Sequence, residues 1–397
     1  MAKINKDDDI FSEIAANTGG EILGDLDSVK YFIDSGNLAF NYVCSGKFID
    51  GGIPADKITE IYGPSSSGKS LFASNLLYGC QKLGGFAIIL DCENSTNGEF
   101  MSRTSHLDLK RVLRYTPMCL EDAFLKIHNV TKEIRKKYPL SPILFVYDSI
   151  SVSPCKRELK EVDLPDDYKP ADWKKIVGRQ EQPGERAKVC SRELRKLLSV
   201  LENQDVTVVI INQTREKIGV LYGSPEVTAG GGNALPFYSS LRLRTQQQKK
   251  IENERLETFA GVNVRVKNVK NRTFRPFVVA NEVKLYFETG VDPLSGLLSC
   301  LLQDEKIDMK SAGNYCVRSD YLPEGKKEYK FKASKARNDI AAQVLIDCPK
   351  LINAKNSKEV EKYLQSFSAA IESSASEEFS EKEVTFNVDG ELVEGRQ

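Results

Sequence analysis

Residues 63–70 read Gly-Pro-Ser-Ser-Ser-Gly-Lys-Ser and stand between a β-prone run, Ile58–Tyr62 (ITEIY), and a helical stretch, Leu71–Leu83. That order constrains the fold more than any other feature of the chain. A loop of this kind works only where a strand ends and a helix begins: its glycines let main-chain N–H groups turn inward around an anion, and the helix N-terminus adds partial positive charge. Three more short apolar runs supply the neighbours such a strand needs: Phe86–Leu90 (FAIIL), Pro142–Tyr147 (PILFVY) and Val206–Ile211 (VTVVII). Near-continuous apolar strands separated by helical stretches predict a mostly parallel sheet covered on both faces, an α/β fold. Residues 241–290 instead alternate apolar and polar (RLRLR, VNVRVKNV, VKLYFE), which predicts antiparallel strands extending that sheet.

Length and composition set the bounds. With 397 residues, 41% of them hydrophobic, the chain can build one main domain and smaller appendages, and global disorder is excluded. Lysine plus arginine equals aspartate plus glutamate at 56 each, yet the balance is uneven along the chain. Residues 371–397 carry Glu372, Glu377, Glu378, Glu381, Glu383, Asp389, Glu391 and Glu394 against Lys382 and Arg396, which leaves the preceding body basic. A basic body with an acidic tail suggests a polyanion partner for which the tail competes. Nine cysteines at irregular spacing, none as C-x-x-C, argue against a disulfide framework or a zinc ribbon, and only two histidines, His106 and His128, are present. The start has no apolar signal core and no run is long enough to span a bilayer, so the expectation is a soluble protein of a reducing compartment with no membrane partner.

The loop and its neighbouring strand ends predict a nucleoside triphosphate site. Lys69 would reach the terminal phosphates and the Ser70 hydroxyl would ligate Mg²⁺, with Gly63, Pro64, Ser65, Ser66, Ser67, Gly68 and Leu71 lining the bound nucleotide. A partner acid belongs at the end of a second buried strand, and Asp148, followed by Ser149, closes the run FVYD. Asp148 would hold the metal through water; the alternative is a helix cap. The run IILDCE ends on the same edge. There Glu93 is the expected general base, with Asp91 either competing for that role or fixing the strand end, and Gln213, after VTVVIIN, placed to sense the terminal phosphate.

These motifs together resemble the ATPase core of RecA-type recombinases: ITEIYGPSSSGKS, then Asp91-Cys-Glu93, then Tyr147-Asp148-Ser149, and above all Ile211–Tyr238, INQTREKIGVLYGSPEVTAGGGNALPFY, which is similar to the family's second DNA-binding loop almost residue by residue. The run Val264–Arg272 also resembles it; Gly290–Leu298 (GVDPLSGLL) looks more like the strand-exchange recombinases of large tailed phages. The resemblance covers about Asp34–Phe277 well and Gly290–Ala336 more loosely. It implies a RecA-like P-loop core over residues 34–289, an N-terminal oligomerisation segment over 1–33, a small C-terminal α+β domain over 290–370 and a disordered acidic tail from 371. The Ile10, Phe11, Ile14 patch would dock on its own domain or on a neighbouring copy.

The resemblance further implies ATP and Mg²⁺, a helical homo-oligomer on single-stranded DNA, pairing with a homologous duplex, a mediator and a single-strand-binding protein as partners, and work in the cytoplasm of a bacterial host. Phe100 falls where the family stacks an aromatic ring on adenine; a core phenylalanine is the alternative. Lys270 and Arg272 would reach the ATP of the adjacent subunit. Arg215, Lys217, Leu221, Tyr222, Gly230, Gly231, Gly232 and Asn233 in the loop over about 214–233, and Lys188, Ser191 and Arg195 on one helix face, would line the DNA channel. The chain has three glycines where the bacterial loop has two, and the segment corresponding to the first DNA loop, about 152–184, is longer; no DNA contacts are assigned within it, and Trp173 would stack on a base or anchor a folded insertion. A ring helicase on the same core and a non-exchanging mediator are the competing functions.

Overall fold

The computed structural model describes residues 6–20, 22, 29–160, 184–202, 204–216, 226–228, 232–253, 258–333 and 340–365. Each apolar run becomes a strand because alternate residues have a hydrophobic layer to enter on either side. In chain order the strands are β1 (Phe32–Ile33), β2 (Ile53–Pro54), β3 (Ile58–Gly63), β4 (Phe86–Asp91), β5 (Val112–Tyr115), β6 (Ile143–Asp148), β7 (Val206–Glu216), β8 (Glu226–Thr228), β9 (Leu241–Asn253), β10 (Thr258–Asn271), β11 (Val279–Tyr286) and β12 (Gly290–Val291). The large sheet runs β12-β11-β10-β9-β3-β7-β6-β4-β5, with β8 paired to β7. From β9 through β3, β7, β6 and β4 to β5 every pairing is parallel, and from β9 to β12 every pairing is antiparallel. Both expectations for the sheet therefore hold.

Burial alternates along the strands. On β6, Leu144 and Val146 enter one layer with helix α3 (Lys69–Lys82), while Ile143, Phe145 and Tyr147 enter the other, beneath helix α5 (Leu120–Lys137) and the Glu185–Glu202 helix. α5 is helical for reasons visible locally: Leu120, Ala123, Phe124, Ile127, Val130 and Ile134 recur at three- and four-residue spacing, Glu121 and Asp122 open it, and Arg135, Lys136 and Lys137 close it against the helix dipole. The layer of α3 is continuous with Leu297, Leu301, Ile307, Tyr315, Val344 and Leu351, so the chain after β12, including a small three-stranded antiparallel sheet over residues 307–332, packs on the same core. Helix α1 (Lys6–Thr18) leaves Ile10, Phe11 and Ile14 half or more exposed.

β7 runs on to Glu216, three residues beyond Gln213, the strand end expected from VTVVIINQ, because β8 pairs with its overhang. All nine cysteines are unpaired thiols, as their spacing implied. No helix among the described residues is long and apolar enough to cross a membrane.

Candidate active site

Four parallel strands, β3, β4, β6 and β7, lead to one edge, and the residues with chemistry, Gly63, Asp91 with Glu93, Asp148 and Gln213, lie on it. Gly63 ends β3 and opens the loop; a Cβ there would stand 2.1 Å from the Thr245 carbonyl oxygen. Gly63 is therefore required by close approach to backbone, whereas Gly68 is favoured by its φ of +81°, with the Leu285 side chain 2.2 Å from where a Cβ would stand. Ser67 Oγ donates to the Pro64 carbonyl at 2.8 Å and lies 2.8 Å from Thr245 Oγ1, which ties the loop to β9. Lys69 is buried and folds back, its Nζ donating to the carbonyls of Gly63 (3.2 Å) and Pro64 (2.6 Å). Burial lowers its pKa, against the opposing pull of Asp148 and Glu93.

At the end of β6, Asp148 Oδ2 accepts from Ser70 Oγ at 2.9 Å. Burial raises the Asp148 pKa to about 6, with Glu93 and Asp91 adding to the rise and the Ser70 hydrogen bond and Lys69 opposing it. A hydroxyl and a carboxylate held together under a phosphate loop fit a hard cation, and Ser70 and Asp148 are the residues that would hold Mg²⁺. Because the carboxyl binds its proton more tightly folded than unfolded, the metal-free fold is penalised as pH rises through about 6 and relieved as it falls. Asp148→Asn should therefore melt a few degrees above wild type near neutral pH without metal, with the gain shrinking below pH about 6. Equal melting curves across that range would show that this carboxyl carries no such cost.

The two acids after β4 separate. Asp91 is buried and accepts from the Ser95 and Thr96 amides (3.3 and 3.1 Å) and from Arg114 Nε and Nη2 (3.1 and 2.8 Å). Burial pushes its pKa up, but the bonds from Thr96 and Arg114 outweigh it and hold the carboxylate below its ordinary range. Asp91 fixes the strand end. Glu93 instead faces the cleft with Ser66, Lys69, Ser70, Asp148 and Gln213. Its Oε1 accepts from Ser149 Oγ at 2.5 Å and from Gln213 Nε2 at 3.3 Å, and neither donor engages Oε2. Gln213 and Glu93 are thus in direct contact, a relation their separation of 120 residues gives no hint of. Phe100 lies on helix α4 (Gly98–Ser105), 38% exposed, over a hollow shared with Leu71, Ser74, Thr96 and Met101 beside Ser70.

Lys270 and Arg272 are not brought to this cleft. Lys270 pairs in register with Arg242, and Arg242 with Glu60 in the first half of β3, while the Arg272 amide donates to the Ser240 carbonyl. Both cations therefore stand at the opposite edge of the sheet from the phosphate loop. Lys270 Nζ donates to the Pro236 and Phe237 carbonyls at 2.8 and 2.7 Å, and Arg272 is exposed.

The chain matches the model of the RecA N-terminal domain over residues 17–166 and 170–292. It is 33% identical over 318 residues to the protein RecA of Thermus aquaticus, covering 78% of this chain and 85% of that one. The RecA of Mycoplasma mycoides is 32% identical over 276 residues (70% and 72%), and that of Thermus thermophilus 32% over 316 residues (79% and 81%). The chain belongs to the RecA family.

RecA-family membership gives meaning to a second face. On the Glu185–Glu202 helix, Val189, Cys190, Leu194 and Leu197 are buried, which turns Lys188 and Arg195 outward with Ser191 partly exposed beside them. Gly232, with φ +54°, would carry its Cβ 3.0 Å from that of Ala187 on the same helix, so the end of the glycine run is held against it. Asn233 is exposed just before the short Ala234–Tyr238 helix. Arg215 lies on the β7 overhang opposite Val227. Lys217, Leu221, Tyr222, Gly230, Gly231, residues 161–183 with Trp173, and the acidic tail lie outside the described residues. Sequence reasoning missed Thr245, Arg114 and Glu60; only Glu60 left a trace, as an acid inside a β-run.

Proposed function

We propose that this RecA-family chain is a DNA-dependent ATPase that polymerises as a helical filament on single-stranded DNA and catalyses homologous pairing and strand exchange. The observation that supports it best is the division of charge: one edge of the sheet holds the phosphate loop, and Lys270 and Arg272 stand at the other. Stacking successive copies sets one protomer's cations on the next protomer's ATP, so the site is complete only in the assembly, and filling it strengthens the seam. In the cleft, Lys69 holds the terminal phosphates, Phe100 packs on the base, Glu93 takes the proton of the attacking water, and Gln213, through the adjoining Thr214 and Arg215, links γ-phosphate occupancy to the DNA loop. When bound at Ser70 and Asp148, Mg²⁺ supplies positive charge for the phosphate oxygens.

Lys188, Ser191, Arg195, Arg215 and Lys217 track DNA phosphates, while Leu221 and Tyr222 separate or stack on bases without reading sequence. The exposure of Ile10, Phe11 and Ile14 supports residues 1–33 as the polymerisation segment. Residues 290–370 form the small C-terminal domain, and the tail from 371 competes with DNA for the run Lys326–Arg337, which sets Lys326, Lys327, Lys330, Lys332, Lys335 and Arg337 against the one acid Glu328. The Gly290–Leu298 run supports kinship with phage recombinases, hence work in the cytoplasm of a bacterial host with a mediator and a single-strand-binding protein.

The test is ATP hydrolysis with and without single-stranded DNA, together with electron micrographs of the protein on that DNA with a non-hydrolysable ATP analogue. Hydrolysis stimulated by DNA and open helical filaments are expected. Closed hexameric rings would replace this reading with a helicase, and hydrolysis indifferent to DNA would replace it with a mediator.

A further inference from the structure

Glu60 stands in the middle of a parallel strand that is covered on both faces, where an apolar residue would be expected. Its side chain is fully buried. A carboxylate there costs several kcal/mol unless each oxygen is paired, and a well-packed apolar residue is usually at least as stable. Both oxygens are in fact paired, and to different strands. Oε1 accepts from Asn212 Nδ2 on β7 at 2.9 Å, and Oε2 accepts from Arg242 Nε on β9 at 2.5 Å. Arg242 is further fixed by lying 4.7 Å above the Tyr62 ring.

Each partner leads to a different edge of the molecule. Asn212 Oδ1 accepts the main-chain N–H of Gln213 at 3.0 Å, and Gln213 reaches Glu93 in the cleft. On the other side Arg242 is the register partner of Lys270 on β10. A hydrogen-bonded series, Gln213–Asn212–Glu60–Arg242, therefore runs from the nucleotide cleft across β7, β3 and β9 and ends beside the β10 position that carries Lys270. Glu60 also balances the Arg242 charge beside Lys270 and Arg272. Without it three like charges share one corner of the sheet, and Lys270 is pressed harder toward the Pro236 and Phe237 carbonyls that hold it.

We propose that Glu60 is a positioning residue that, with Asn212 and Arg242, couples the occupancy of a protomer's own cleft to the placement of the Lys270 it presents to its neighbour. This rests on the shared-site reading above. Gln213 drawn by a terminal phosphate moves the N–H that Asn212 accepts, and the displacement passes through Glu60 to Arg242. Successive sites along the polymer would then fire in a linked order.

The test is a double-mutant cycle on DNA-stimulated ATP hydrolysis by the full chain, because Asn212 and Lys270 lie on strands that are not adjacent and independent sites multiply their effects. Asn212→Ala is expected to slow stimulated hydrolysis about tenfold and to lower the melting temperature, because it leaves Glu60 Oε1 without its partner inside the core, with DNA-free nucleotide affinity near wild type. Added to Lys270→Ala it should cost little more than Lys270→Ala alone. Should Asn212→Ala fold poorly, the isosteric Glu60→Gln takes its place in the cycle. Effects that multiply, or a wild-type rate for Glu60→Gln, would overturn the coupling while leaving the shared site standing. A wild-type rate for Lys270→Ala would remove the shared site and this inference with it.

Discussion

Glu93→Gln is expected to slow DNA-stimulated ATP hydrolysis by about 10²-fold or more, the usual size of general-base assistance, while ATP and DNA still bind. The substitution keeps the shape and the oxygen that accepts from Ser149 and Gln213, so the cleft retains its hydrogen bonds. What it removes is the capacity to take a proton. It also removes a negative charge that raises the pKa of Asp148 and of Lys69, so Asp148 ionises more readily and metal-dependent ATP binding should hold or tighten slightly. Single-turnover hydrolysis alongside nucleotide binding separates the two effects. An unchanged rate would shift the base to another group. Asp91 is a poor substitute, because four hydrogen bonds from Ser95, Thr96 and Arg114 already occupy it.

The second large effect is expected from Lys270→Ala combined with Arg272→Ala. Removing cations that a neighbour lends to a phosphoryl-transfer site costs on the order of 10³-fold or more in turnover. DNA-stimulated hydrolysis and cooperative assembly should both collapse, yet the isolated protomer should stay folded. Neither side chain belongs to the buried core: Arg272 is exposed, and Lys270 donates only to two carbonyls at the surface end of a short helix. Loss of Lys270 also relieves the crowding of like charge with Arg272 and Arg242, which together with burial lowers its pKa. Nucleotide affinity of the DNA-free protomer should accordingly match wild type. Normal stimulated hydrolysis by the double variant would mean that a single chain completes its own site.

Much of this was legible in the order of residues. The Gly63–Ser70 loop, the strands before and after it and the antiparallel extension follow from local rules: a glycine at the positive φ of position 68, near-continuous apolar residues along a doubly covered strand, alternation where one face is less buried. Asp148 and Glu93 could be placed at one edge because parallel strands all end on the same side. The sequence alone therefore determined the fold class, the phosphate loop and the set of acids at its rim. Only the tertiary structure decided which acid is tied down by Arg114 and which stays in the cleft, that Ser67 leans on Thr245, that Lys270 and Arg272 stand on the far edge, and that Glu60 joins β7 to β9. Each of those outcomes depends on side chains from segments far apart in the chain meeting at a particular strand register, and register comes from the packing of the whole sheet rather than from any neighbour in sequence.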